Sequence, residues 1–157
     1  MASTICSPKD FNPTVNMIFT KPKTNQSGGK SIGILNSKTK KSIYMQTPVM
    51  FNWGVNTYDN PNGKSYDFSL QFPRDEFATE ETNDLLSMLS KFEEIIKKKA
   101  QENPRDWFGK STMSEEVIEA LWSPMLKYPK DSSTGESDKT RSPTLKVKLP
   151  VWENDFK

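Results

Sequence analysis

The chain has 157 residues, of which 33% are hydrophobic and 27% are charged, and its formal net charge is +2 at pH 7. It contains no histidine and a single cysteine, Cys6, which excludes an internal disulfide, a zinc site of the usual Cys/His kind and a Ser-His or Cys-His nucleophile pair. We therefore expect no cofactor, no metal and no catalysis. The sequence also lacks an apolar run of membrane-spanning length and a secretory signal, which predicts an intracellular protein without a membrane partner.

The length predicts one domain over residues 1–157. Residues 1–13 lack hydrophobic periodicity and are predicted to form a flexible arm. High β-branched and aromatic content then predicts three strands, at residues 14–20, 31–36 and 42–50. The turn between the second and third of these strands carries Lys38, Lys40 and Lys41. These lysines either contact phosphates or keep an exposed loop soluble.

The middle of the chain combines aromatic residues, a strand and a long helix. Trp53 and Tyr58 lie close to a turn predicted at Asn62-Gly63, and rings in loops are less often part of the core than rings in strands. Residues 65–72 alternate between apolar and polar side chains, which predicts a strand with one buried face. Residues 79–102 then carry an apolar stripe at helical spacing, which predicts a long helix that packs on the sheet.

The last third of the chain ends in a second strongly patterned strand. A short helix is predicted to begin after Ser114, and the polar residues 131–142 are predicted to form a mobile loop. Residues 144–151 alternate, with Lys146 and Lys148 on the outward face. Two lysines on one exposed strand face suit a phosphate track, whereas the competing interpretation is an edge strand whose lysines prevent pairing between sheets.

This order of elements predicts an α+β protein that is mostly β. The specific prediction is a five-stranded oligonucleotide-binding (OB) barrel, with one long helix between strands and a short second helix. A small sandwich with helical insertions is the alternative.

Four runs spread over most of the chain carry a family resemblance. They read TPVMFNWGV at 47–55, DWFGK at 106–110, PMLKYPKD at 124–131 and PTLKVKLPVW at 143–152. In these runs the chain resembles the single-stranded-DNA-binding protein family of the nucleocytoplasmic large DNA viruses of algae and amoebae. That family is related to the single-stranded-DNA-binding protein of a short-tailed coliphage.

The resemblance implies an OB fold and sequence-tolerant, non-catalytic binding of single-stranded DNA in viral DNA replication and recombination. It places the protein in the host cytoplasm or nucleus at viral replication sites, with replication proteins as candidate partners and a homodimer as a candidate assembly. The relatives end in an acidic, aromatic-tipped tail, whereas this chain ends with only Glu153 and Asp155 as acidic residues. A C-terminal extension missing from this sequence is therefore one expectation, and recruitment of partners through a tail is in doubt.

The candidate nucleic-acid-binding residues are chosen on physical grounds, because no contact motif of the family maps onto single positions. Lysines would neutralise phosphates, and rings would stack on bases at about 1–3 kcal/mol per base. The lysines are Lys38, Lys40, Lys41, Lys110, Lys127, Lys130, Lys146 and Lys148, and the rings are Trp53, Tyr58, Trp107, Tyr128 and Trp152.

Three alternatives stay open beside this prediction. One is an enzyme that acts on nucleotides through carboxylates and a bound metal ion, although the sequence shows no carboxylate cluster for it. RNA is a further candidate ligand, since stacking and phosphate attraction serve both nucleic acids. A viral structural or protein-interaction module could use the same aromatic residues, because Trp and Tyr are also typical of protein interfaces.

Overall fold

The computed structural model describes residues 5–152 and 155–156. The chain divides into two compact units, each built from two separate stretches. Unit 1 comprises Met1–Thr47 and Asp84–Pro124, and unit 2 comprises Pro48–Asn83 and Met125–Lys157. Among the described residues, no helix combines the length and the apolar composition needed to cross a bilayer.

The described strands of unit 1 are short and join only in pairs. They are β1 (Ile5–Cys6), β2 (Met17–Phe19), β3 (Lys23–Thr24), β4 (Lys30–Ser31), β5 (Ile34–Asn36) and β6 (Tyr44–Met45). Strand β1 pairs in parallel with β6, while β2 pairs antiparallel with β5 and β3 with β4. A one-turn helix, α1 (Pro13–Asn16), precedes β2. The Asn12 side chain accepts a hydrogen bond from the Thr14 N–H, and Pro13 occupies the first helical position, both of which are typical helix-start features.

The long helix of the chain is α2 (Glu80–Glu102), which begins in unit 2 and continues in unit 1 from residue 84. It begins with a reciprocal cap, in which the backbone N–H groups of Thr79 and Thr82 each donate to the other residue's hydroxyl. Leu85 and Met88 are buried one helical turn apart. The prediction of a long helix over residues 79–102 is confirmed.

Two shorter helices follow in unit 1. Helix α3 (Pro104–Phe108) ends at Gly109, whose φ of 67° places it in the left-handed region favoured by glycine. Helix α4 (Glu115–Leu121) begins after Ser114, whose hydroxyl accepts a hydrogen bond from the Val117 N–H. The short helix predicted after Ser114 is thus confirmed.

Unit 2 contains the largest described sheet, with four antiparallel strands in the order β7-β8-β10-β9. Its strands are β7 (Asn56–Asn60), β8 (Gly63–Gln71), β9 (Leu126–Lys127) and β10 (Thr144–Leu149). A 3-10 turn, Asp75–Phe77, follows β8, and two further strands, β11 (Val151–Trp152) and β12 (Asp155–Phe156), pair with each other. Leu70, Phe72 and Leu126 are buried and contribute to the apolar core of the unit.

The prediction of a five-stranded OB barrel is wrong. The described strands form one open four-stranded sheet, with β7 and β9 at its edges, and several two-stranded pairs, which together make an α+β fold without a closed barrel. Local features explain why the predicted N-terminal strands are cut short. Residues 13–16 are helical, Gly33 separates β4 from β5, and Pro48, which has no N–H to donate to a ladder, lies within the predicted strand at 42–50.

Two segments predicted as flexible carry defined structure where they are described. In the predicted arm, residues 5–6 form β1 and Phe11 is only 3% exposed, while residues 1–4 lie outside the described part. In the predicted mobile loop, the Asp131 N–H donates to the Glu136 carbonyl at 2.8 Å. The Asp131 carboxylate also accepts hydrogen bonds from the N–H groups of Ser133 and Thr134. Residues 131–136 thus form a turn whose hydrogen bonds come from polar groups.

The buried side chain of Leu85 provides a test of the core. At 1% exposure, its replacement by alanine removes packed atoms and leaves a cavity, so we expect Leu85→Ala to lower the free energy of unfolding by about 2–5 kcal/mol. Urea denaturation measures this change. Ser87→Ala is the matched control, since Ser87 is exposed on the same helix, and its expected effect is within about 0.5 kcal/mol. Equal urea midpoints for the two variants would show that Leu85 is not a core residue.

Candidate nucleic-acid interface

The four-stranded sheet of unit 2 has one face that is rich in polar and charged side chains. Residues directly opposite each other in an antiparallel pair point to the same side of the sheet. Asp67 lies opposite Asn56 on one side and Lys148 on the other, while Ser65 lies opposite Tyr58. We call this side the polar face, and on these four strands it consists of Asn56, Tyr58, Asn60, Ser65, Asp67, Ser69, Gln71, Lys127, Thr144, Lys146 and Lys148.

Phe51 extends the polar face beyond β7. It forms an antiparallel bridge with Gln71, whose N–H donates to the Phe51 carbonyl at 2.8 Å. Between this bridge and the pair Asn56–Asp67, four residues (52–55) stand opposite three (68–70), so the edge of the sheet bulges outward. Gly54, with a φ of 100°, lies in this bulge, and its N–H donates to the Asn52 side chain at 2.9 Å.

The bulge presents Trp53 to solvent. The indole is 83% exposed, and it meets the ring of Phe51 edge to face, with 4.8 Å between the ring centroids. Phe51 is 58% exposed and Tyr58 is 45% exposed. A contiguous group of exposed rings is a candidate interaction surface.

An ion pair lies at the centre of the polar face. The Lys146 ammonium is 2.8 Å from the Asp67 carboxylate and 5.2 Å from the centroid of the Tyr58 ring. The Asn56 side-chain amide donates to the other Asp67 oxygen at 3.1 Å. The hydrogen bond from Lys146 is the main cause that lowers the pKa of Asp67, and the bond from Asn56 and the nearby charges of Lys146 and Lys127 lower it further. Reciprocally, Asp67 raises the pKa of Lys146.

Unit 2 contains most of the residues predicted from the sequence to bind nucleic acid. Tyr58, Lys127, Lys146 and Lys148 share the polar face, and Trp53 lies in the bulge at its edge. Beyond β9, the side chain of Tyr128 is half-buried and that of Lys130 is exposed. The backbone of Lys130 forms an isolated antiparallel β-bridge with Ser137. Trp152 pairs with Asp155 in β11–β12, but its side chain lies outside the described part of the structure.

The other predicted residues belong to unit 1. Lys38, Lys40 and Lys41 are exposed in the turn that follows β5, and Lys110 is exposed just after α3. Trp107 is half-buried, and its ring packs on Phe19 with 5.6 Å between the ring centroids. This packing favours a structural role for Trp107 over stacking on a ligand.

Three residues of the site were not predicted from the sequence. Phe51 stands two positions before Trp53 in the same aromatic run, and this spacing is a signal that could have identified it. No sequence pattern identifies Asp67 and Asn56, because the ion pair of Asp67 with Lys146 and its hydrogen bond with Asn56 depend on the register of β7, β8 and β10.

Comparisons with known proteins add no assignment. No protein-family model matches the chain, and no curated protein or solved structure matches it either. Over residues 5–152 and 155–156, no group of three or more His, Cys, Asp or Glu side chains is arranged to hold a metal ion.

The lowered pKa of Asp67 predicts how stability depends on pH. A carboxyl group whose pKa is lower in the folded than in the unfolded protein stabilises the fold above its usual pKa of 3.8. This contribution is lost as the pH falls through the folded value. We therefore expect Asp67→Asn to be less stable than the native protein at neutral pH, and the difference to shrink below pH 3.8. Urea denaturation at several pH values measures it, and a difference that is constant with pH would contradict the ion pair.

Proposed function

We propose that the polar face and its aromatic edge bind single-stranded nucleic acid without catalysis. The observation that carries this proposal is the presence of exposed rings and exposed cations on one face of one sheet and in the bulge at its edge. Phe51, Trp53 and Tyr58 follow the β7 edge, while Lys127 and Lys148 lie exposed on the strands β9 and β10.

The arrangement suits the two chemical parts of a nucleic-acid strand. Bases can stack on the rings at about 1–3 kcal/mol each, whatever the sequence, because every base has a flat face. Phosphates gain from nearby ammonium groups, and alternate residues of one strand repeat every ~6.8 Å along it. In a duplex the base faces are already stacked on one another, so the rings favour a single strand.

The family resemblance of the sequence supports DNA as the natural ligand and viral replication as the setting. Both are part of this proposal. Lys38, Lys40 and Lys41 of unit 1 are exposed, and they stay candidate phosphate contacts that are considered separately from the polar face.

A protein partner is the second candidate ligand, and one observation favours it. Val49 is 99% exposed and Val55 is 54% exposed on either side of the Phe51–Trp53 pair. Aliphatic side chains do not stack on bases, whereas they are readily buried in protein interfaces. Chemical crosslinking in the presence and absence of an oligonucleotide separates the two candidates, since a protein interface would form without nucleic acid.

Removing the most exposed described indole tests base stacking. We expect Trp53→Ala to weaken binding of a deoxythymidine oligonucleotide by about 5- to 100-fold, which corresponds to the loss of one stacked base. Quenching of tryptophan fluorescence measures binding by the native protein, and polarisation of a labelled oligonucleotide measures both proteins. Phe77→Ala is the control, because Phe77 is 70% exposed in unit 2 but lies outside the polar face. Equal affinities for all three proteins, or no binding by the native protein, would refute the proposed contact.

The salt dependence of binding tests the cations. Each phosphate neutralised by the protein contributes about 0.7 to the slope of log affinity against log salt for a single strand. We expect Lys148→Gln to reduce the slope by about this amount. Lys64→Gln provides the control, because Lys64 pairs with Asp59 on the opposite face of the same sheet. If both variants lower the slope equally, the polar face is not the phosphate track.

A further inference from the structure

The side chain of Lys146 runs across the sheet instead of pointing straight away from it. Its backbone lies on β10 opposite Ser69, yet its ammonium group reaches Asp67 on β8 and the ring of Tyr58 on β7. Lys146 thus spans three neighbouring strands, and its side chain is 37% exposed. No carboxylate lies within ion-pair distance of Lys127 or Lys148 in the described part of the chain, so Lys146 differs from both.

Asp67 is held firmly in this arrangement. The residue is only 5% exposed, and its two carboxylate oxygens are occupied by the Lys146 ammonium and the Asn56 amide. Both oxygens of the carboxylate are therefore already hydrogen-bonded in this arrangement. Its negative charge stays beneath the surface where we propose that phosphates bind.

A carboxylate and a phosphate can both form an ion pair with the Lys146 ammonium group. Both are oxygen anions that accept charge-assisted hydrogen bonds from an ammonium group. While Asp67 holds Lys146, an incoming phosphate meets a nearly neutral pair, and it must compete with Asp67 for the donors of Lys146.

We infer that Asp67 is the residue that sets the affinity of the polar face, acting as an internal anion that competes with nucleic-acid phosphate for Lys146. This inference rests on the proposed function. Such competition weakens the binding of nucleic acid and lowers the salt dependence of that binding. It does not change the free energy that the exposed rings contribute by stacking on bases. It lets a sequence-tolerant binding protein release its strand, which is useful where the single strand must be handed to another protein.

A double-mutant cycle at positions 67 and 146 tests the inference. Asp67→Asn keeps the shape of the side chain and removes the charge, so we expect about fivefold tighter binding of a deoxythymidine oligonucleotide at low salt and a slope steeper by about 0.7. Lys146→Met in the native background should weaken binding, because it leaves the Asp67 carboxylate without its cationic partner on the polar face. In the Asp67→Asn background the same substitution should abolish the gain.

Asp59→Asn is the matched control, because it removes an equal charge from an exposed position on β7 that faces the other side of the sheet. The inference is overturned if Asp67→Asn binds no more tightly than Asp59→Asn, or if adding Lys146→Met leaves the gain of Asp67→Asn intact. A native protein that does not bind the oligonucleotide would overturn the proposed function itself. Binding by the native protein with no effect of Asp67→Asn would overturn the inference alone.

A measurement on the unmutated protein covers the case in which Asp67→Asn fails to fold. Carbon-detected NMR follows the titration of the Asp67 carboxyl group with and without the oligonucleotide. If phosphate takes Lys146 away, the pKa of Asp67 should rise toward its ordinary value of 3.8 when the oligonucleotide is bound. An unchanged titration with oligonucleotide bound would overturn the inference.

Discussion

The antiparallel pairing of β8 with β10 is the constraint on which the rest of unit 2 depends. Six residue pairs, from Thr144–Gln71 to Leu149–Tyr66, join two segments that are far apart in the chain. The pairing places Leu145 opposite Leu70 and Val147 opposite Phe68 on one face, and lysines beside Asp67 on the other. A slip of one residue would exchange the two faces, bury the lysines and expose the apolar side chains. The apolar pairs therefore stabilise the same register that assembles the proposed binding face.

The two faces of this sheet serve different physical purposes. The apolar face gains free energy by leaving water, whereas Phe51 and Tyr58 on the polar face, and Trp53 in the bulge at its edge, stay largely exposed to water. Three exposed rings forgo the stabilisation that burial would give them, and a bulge with a left-handed glycine at Gly54 holds the most exposed one outward. Such a surface is better explained by a ligand that covers it than by the stability of the free protein. Asp67 then moderates the charge of the same face through Lys146.

Prediction from the sequence succeeded where a local pattern contained all the information. The apolar stripe defined α2, Ser114 marked the start of α4, and strict alternation identified β8 and β10. It failed in the first 50 residues, where apolar residues suggested long strands and a closed barrel. There the backbone is interrupted by helix α1, by Gly33 and by Pro48, so the strands are too short to make anything beyond pairs. Composition indicates which residues favour strands, but it does not indicate whether those strands pair with others in a sheet.

The sequence by itself determined the absence of histidine chemistry, the positions of the long helix and the two alternating strands, and the choice of Trp53, Tyr58, Lys146 and Lys148 as exposed candidates. Each of these depends on residue type or on neighbours within a few positions. Only the tertiary structure decided that Phe51 and Lys127 lie on the same face as Tyr58, that Trp107 packs on Phe19, and that Asp67 holds Lys146. The physical reason is that a cross-strand contact joins residues whose separation along the chain is set by the register of pairing, and no short-range pattern encodes that register.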